Sequence, residues 1–123
     1  MSHIVQIQTQ VRDAVAVTAA CERLGLPPPV ERTVQLFQAT VQGLAVALPG
    51  WLYPVVCNLA AGSLQFDNYG GHWGAPAELN RFLQAYAVEK SRLEARRRGH
   101  AVSEQVLADG SVRLTIQVGR GAA

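Results

Sequence analysis

The stretch at residues 66–74, FDNYGGHWG, sets an acid, an amide, a histidine and three aromatic rings among three glycines. Asp67, Asn68, Tyr69, His72 and Trp73 are residue types from which a small polar site could be built. Asp67 and His72 could exchange a proton as an acid–base pair, and the N–H groups of a glycine-rich loop leading into a helix could hold an anion at the positive end of its dipole. The same residues also make an ordinary turn: Asn68 and the glycines supply the backbone conformations a tight turn needs, and Tyr69 and Trp73 are amphipathic rings suited to lap over a core edge. The segment is expected to be a structured turn that doubles as a contact surface for a ligand or partner. No catalytic residue is assigned.

Other chemistry is less well supported. Cys57 lies in PVVCNL, apolar surroundings that raise a thiol's pKa and leave it inert, so a cysteine hydrolase with His72 and Asp67 as partners is disfavoured. Serine chemistry lacks a G-x-S-x-G elbow, and Ser2 reads as the start of a strand. His3, His72 and His100 are too dispersed for a local metal motif, so neither metal nor cofactor is assigned; His3 reads as a strand residue and His100 as a helix-end cap. The basic run RLEARRRGH offers Arg92, Arg96, Arg97 and Arg98 to phosphates. Glu89 and Glu94 accompany them, a Glu94–Arg98 pair is expected at i,i+4, and no aromatic platform stands beside the charge. A solvated helix end is the better account, and nucleic acid is an unfavoured partner.

The totals agree with a modest, self-sufficient domain. A chain of 123 residues fits one domain, 1–123, and can bury about two thirds of its unfolded surface without staples. With 49% hydrophobic and 16% charged residues it belongs with ordinary globular proteins, and a net charge of +2 is too small to name a partner. Cys21 and Cys57 form no C-x-x-C pair and read as buried free thiols. The opening MSHIVQIQTQ lacks the basic start and apolar core of a signal peptide, and no apolar run approaches the roughly 20 residues of a membrane span, so a cytoplasmic location is expected.

The elements that would position these side chains can be read from periodicity. Val5 and Ile7 alternate with Gln6 and Gln8 in a strand over 3–9, with His3 on the apolar side. A helix follows over 13–24, with Asp13 in its first turn, and stops at Gly25, where a left-handed residue lets Leu26 fold back onto Cys21 before three prolines. Strands are expected at 33–37, 43–48, 53–59 and 64–68, with Leu44, Val46 and Leu48 sharing a face and Pro54 at a strand start. Residues 76–98 carry the stripe Leu79, Phe82, Leu83, Tyr86 and Leu93, with Pro76 at the first helical position; beyond Tyr86 the stripe thins, so the last turns are expected to project past the core. A closing hairpin over 101–107 and 111–118 turns through Ala108, Asp109 and Gly110, pairing Val106 with Val112 and Val102 with Ile116, and leaves Glu104 beside Leu114 as its one misplaced charge. The sum is an α+β domain, ordered β-α-β-β-β-β-α-β-β, with a mainly antiparallel sheet and both helices packed on one face.

Four stretches of the chain, MSHIVQIQTQVRD, ACERLGL, FLQAYAVEK and GHAVSEQVLADGSVRLTIQV, together resemble the domain of unknown function 1257 family, also called hypothetical chloroplast reading frame 35-like, in its bacterial branch. The resemblance spans nearly the whole chain and carries no catalytic signature. It implies an accessory role beside an AAA-type ATPase. The expectation is thus a non-enzymatic protein-binding or adaptor domain, with homodimer formation through open strand edges. The alternatives are a small enzyme or ligand-binding protein using Asp67 and His72, and a nucleic-acid binder using residues 92–98.

Overall fold

The computed structural model describes residues 4–118, so the expectations for Ser2 and His3 lie outside the described residues. Nine elements form in the expected order: β1 (Ile4–Gln8), α1 (Ala14–Arg23), β2 (Val30–Gln35), β3 (Thr40–Val46), β4 (Val55–Asn58), β5 (Ser63–Asp67), α2 (Pro76–Arg97), β6 (Ala101–Val106) and β7 (Val112–Gln117), with a short 3-10 turn at Tyr69–Gly71. The strands make two sheets, one ordered β1-β5-β4-β3-β2 and a separate β6-β7 ribbon, and every described pairing is antiparallel. The α+β class and its antiparallel sheet are as the periodicity predicts. The division of the strands between two sheets is not legible in that periodicity.

Alternation assigns each strand residue to a face. Leu44, Val46, Val55, Cys57, Leu64 and Phe66 point to one side of the main sheet and pack with Ala16, Val17, Ala20 and Cys21 of α1 and Leu79, Phe82, Ala85 and Tyr86 of α2. Both helices therefore cover the same face. The intervening residues Ala45 and Val56 point to the other side, where they meet Val34, Leu36, Val41, Tyr53 and Ile4 in a second, smaller cluster. Strand two begins earlier than expected, at Val30 rather than Thr33. The three prolines stop at residue 29 and leave Val30 to pair with Ala45.

Helix ends follow local chemistry. Asp13 is the N-cap of α1 rather than a first-turn residue, accepting from the N–H groups of Val15 and Ala16. Gly25 takes φ 69°, and Leu26 N–H donates to Cys21 O at 2.8 Å, the expected fold-back. Tyr86, midway along α2, ties the start of α1 to it: its hydroxyl accepts from Arg12 and Asp13 N–H and donates to Gln10 O.

The last turns of α2 do not project past the core. Val88 and Ala95 are buried, and the β6-β7 ribbon lies along this end of the helix, with the walls of two grooves shared between them. The ribbon's register is the expected one, Val102 with Ile116 and Val106 with Val112, and Gly110 takes φ 86° in the three-residue loop. Glu104, out of place by pattern, is accounted for by charge: it receives Arg23 at 2.9 Å and Arg92 at 2.7 Å, which pins the ribbon to both helices.

Candidate functional site

The loop from Asp67 to Ala75 closes on itself. Asn68 is its centre: its carbonyl accepts from Gly71 and Trp73 N–H, and its side-chain amide donates to Gly74 O at 3.2 Å. Leu52 N–H donates to Trp73 O at 2.8 Å, fastening the loop to the strand connection before β4. On the helix side of the loop the Trp51 indole donates to Ala75 O and meets Phe66 edge-on, and a Cβ on Gly74 would fall 2.3 Å from the Trp51 ring, so only glycine fits there. Glu78 already supplies a negative charge to the first turn of α2, as the dipole favours.

The opposite side of the loop carries rings. Trp73 stacks on Phe37 with centroids 5.2 Å apart, meets Tyr53 edge-on at 5.8 Å and lies 4.7 Å from Tyr69, which in turn lies 5.0 Å from His72. Phe37 follows β2 and Trp73 follows β5, strands three positions apart in the sheet. The ring contact joins the turn between β2 and β3 to the loop after β5. Phe37 and Tyr69 remain 49% and 42% exposed. Tyr69 has φ 45°, the one positive value among described non-glycine residues, a conformation that costs on the order of 1 kcal/mol and is held by its surroundings.

Asp67 stands apart from the other polar groups. It lies opposite Ile4 in the sheet, on the face away from the helices, and is fully buried at 0% exposure. Its Oδ1 accepts from Tyr69 N–H at 3.3 Å, while its Oδ2 has no hydrogen-bond partner among the described residues. The expected partner, His72, is exposed and packs on Tyr69. Asp67 and His72 thus belong to one loop but one is buried and the other faces solvent. Cys57 points to the helix side of the sheet, the face opposite Asp67, so no cysteine–histidine–aspartate arrangement forms. Burial pushes the Cys57 thiol up to about 12 and raises that of Cys21 as well, and both thiols are free and buried.

Two of the four arginines of the basic run are committed to ion pairs. Arg92 binds Glu104, and Arg97 binds Glu94 at 2.9 Å and approaches Asp13 at 3.6 Å. The expected Glu94–Arg98 pair is replaced by Glu94 with Lys90 and Arg97, because Arg98 leaves the helix as its C-cap. Burial opposes ionisation of Asp13, but Lys90 and the N–H groups of Ala16 and Val15 outweigh it and hold the carboxyl below its ordinary value. Arg96 and Arg98 are exposed. A groove of about 590 Å³ runs between the β1-α1 link and α2, lined by Val11, Leu83, Tyr86 and Ala87 among others, with Lys90 at its edge. Lys90 is already paired with Asp13 and Glu94.

Among the described residues, no group of three or more His, Cys, Asp and Glu could hold a metal, and no helix is long and apolar enough to cross a membrane. Comparison with protein-family models, curated proteins and solved structures gives no match to this chain. Sequence reasoning placed Asp67, Asn68, Tyr69, His72 and Trp73 together but missed Phe37 and Tyr53, which complete the ring cluster from 16 or more residues away. Phe37, expected as the last residue of a strand over 33–37, instead follows β2, which ends at Gln35, so strand alternation carried no signal for its place.

Proposed function

We propose that this chain is a polypeptide-binding domain without catalytic chemistry of its own, and that its contact surface is the ring cluster of Phe37, Tyr69 and Trp73. The observation that carries the reading is the exposure of Phe37 and Tyr69, 49% and 42%, around a shared tryptophan on the sheet face that the helices do not cover. Clustered aromatic side chains with a polar tip are what binding hot spots are made of, since they bring large area at little entropic cost. Acid–base catalysis by Asp67 and His72 has less support, with one group buried and the other exposed. Nucleic-acid binding through residues 92–98 has less support too, with Arg92 and Arg97 held by carboxylates.

The resemblance to the domain of unknown function 1257 family makes an AAA-type ATPase the first partner to try, and a second copy of the chain the next. The experiment is capture of partners from the native cell with wild type, Phe37→Ser and Arg97→Ser proteins, with light scattering on each to record self-association. Phe37→Ser is expected to lose at least tenfold of the captured partner while Arg97→Ser keeps it. A partner held equally by wild type and Phe37→Ser overturns the reading.

A further inference from the structure

An open strand edge can pair with a second copy of the chain about a twofold axis, and opposite residues then share a side of the joined sheet. The side chains that meet in such a seam follow from the strand's own sequence. β2 carries Glu31 and Arg32, both exposed, charges of the kind that keep edge strands from pairing. In β6, Glu104 would stand against itself or against a valine, and it is already held by Arg23 and Arg92. β1 presents Gln6 and Gln8, and the Gln8 amide already donates to Ala61 O. Among the described edges β7 alone sets apolar residues in series, Val112, Leu114 and Ile116 on the side toward α2, with Arg113 as its one charge.

The backbone of β7 is open at the same residues. Leu107 N–H donates to Ser111 O at 2.8 Å at the mouth of the hairpin. Counted in twos from that bonded pair, Gln105 with Arg113, Ser103 with Thr115 and Ala101 with Gln117 exchange hydrogen bonds. The N–H and C=O of Val112, Leu114 and Ile116 therefore point away from β6, the one strand neighbour of β7 among the described residues. Ile116 and Val118 are 42% and 75% exposed, and with Ser91 and Ala95 they line a groove of about 500 Å³ between β7 and α2. We propose that β7 is a self-pairing edge, through which two copies join their ribbons into one antiparallel sheet ordered β6-β7-β7-β6 over the two α2 helices. An axis at Thr115 sets Val112 of each copy against Val118 of the other and Leu114 against Ile116, so every outward backbone group from 112 to 118 is bonded across the seam. Arg113 then meets Gln117, and no like charges are opposed. An axis at Arg113 would oppose two arginines, and one at Leu114 would leave Val118 against the Gly110 turn. The seam lies on the helix side of the molecule and does not rest on the ring cluster.

The test is sedimentation equilibrium of the whole chain. Wild type is expected to dimerise, and a chain that stays monomeric at about 1 mM, where even millimolar affinity shows, overturns the proposal. Leu114→Pro removes an outward N–H that the hairpin itself does not use, so the chain is expected to fold and its dimer to weaken at least about tenfold. Thr33→Pro, the matching change on the β2 edge, is expected to leave the dimer as it is. A dimer kept by Leu114→Pro, or lost with Thr33→Pro instead, overturns the seam. Where circular dichroism shows Leu114→Pro unfolded, Thr115→Cys decides. The axis makes residue 115 a non-hydrogen-bonded pair with itself, Cα atoms about 4.5 Å apart and within disulfide reach, and both native thiols are buried. Oxidation is expected to link Thr115→Cys into a covalent dimer and to leave Thr33→Cys unlinked; no link at 115, or an equal one at 33, overturns the proposal. Phe37→Ser, which probes the ring cluster, is expected to keep the dimer, so partner capture and self-association fail separately. A dimer lost with Phe37→Ser but kept with Leu114→Pro overturns the seam alone.

Discussion

The two faces of the five-stranded sheet solve the same burial problem differently. The helix-covered face is filled by aliphatic side chains together with Phe66, Phe82 and Tyr86, whose hydroxyl has its hydrogen bonds satisfied. The opposite face has no helix over it. The turn after β2 and the loop after β5 bring rings to it, of which Phe37 and Tyr69 stay about half exposed, and it keeps an acid with an unsatisfied oxygen. A surface optimised for stability alone would not combine those features. The contrast sets a closely filled face against one whose half-exposed rings are the surface of the proposed binding function.

That contrast can be broken by measurement. Phe82→Ala, at a fully buried position on the core-facing side of α2, is expected to cost about 3–5 kcal/mol, by lost transfer energy and the cavity left behind. Urea unfolding that showed a loss below about 1 kcal/mol would remove the helix face from its structural role. Glu104→Gln is expected to cost about 1 kcal/mol, since the acid is partly exposed and bridges two arginines. Its pH dependence follows from the same pairs. The Arg23 hydrogen bond holds the Glu104 carboxyl below its ordinary value against a smaller opposing effect of burial. Stability from this group is therefore complete above the unfolded value of about 4.3 and is lost as pH falls below it through the folded value. Protection factors of the β6 and β7 amides, which remove the intrinsic pH dependence of exchange, should fall below that pH in wild type and fall less in Glu104→Gln. The smallest effect belongs to the open face: Asp67→Asn is expected to leave stability unchanged or raise it by up to about 1 kcal/mol, because an unpartnered buried charge is a liability. A melting temperature lowered by more than about 5 °C in that variant would make Asp67 a structural residue and erase the contrast.

Much of the helix face was legible in advance. The stripe of α2, the Leu44-Val46 alternation, the turn chemistry of Gly25 and the three-residue hairpin loop all follow from neighbours in the chain. Where legibility failed, the cause was distance in sequence. Strand two shifted because pairing with Ala45, not local propensity, sets its start. The end of α2 read as a projection because the ribbon that covers it comes later in the chain and binds through Arg23 and Arg92 rather than by an apolar pattern.

What the amino-acid order determined by itself was local: which segments are helix or strand, which of their sides are apolar, where a cap or a glycine ends them, and that residues 66–74 turn tightly, since these depend on interactions spanning a few residues. Only the tertiary structure decided that the final hairpin stands apart from the main sheet, that Phe37 crosses the open face to meet Trp73, and that Asp67 is buried with an oxygen unpaired while His72 faces solvent. Those outcomes turn on ring contacts and charge pairs between distant elements, neither of which is encoded in any one stretch of the chain.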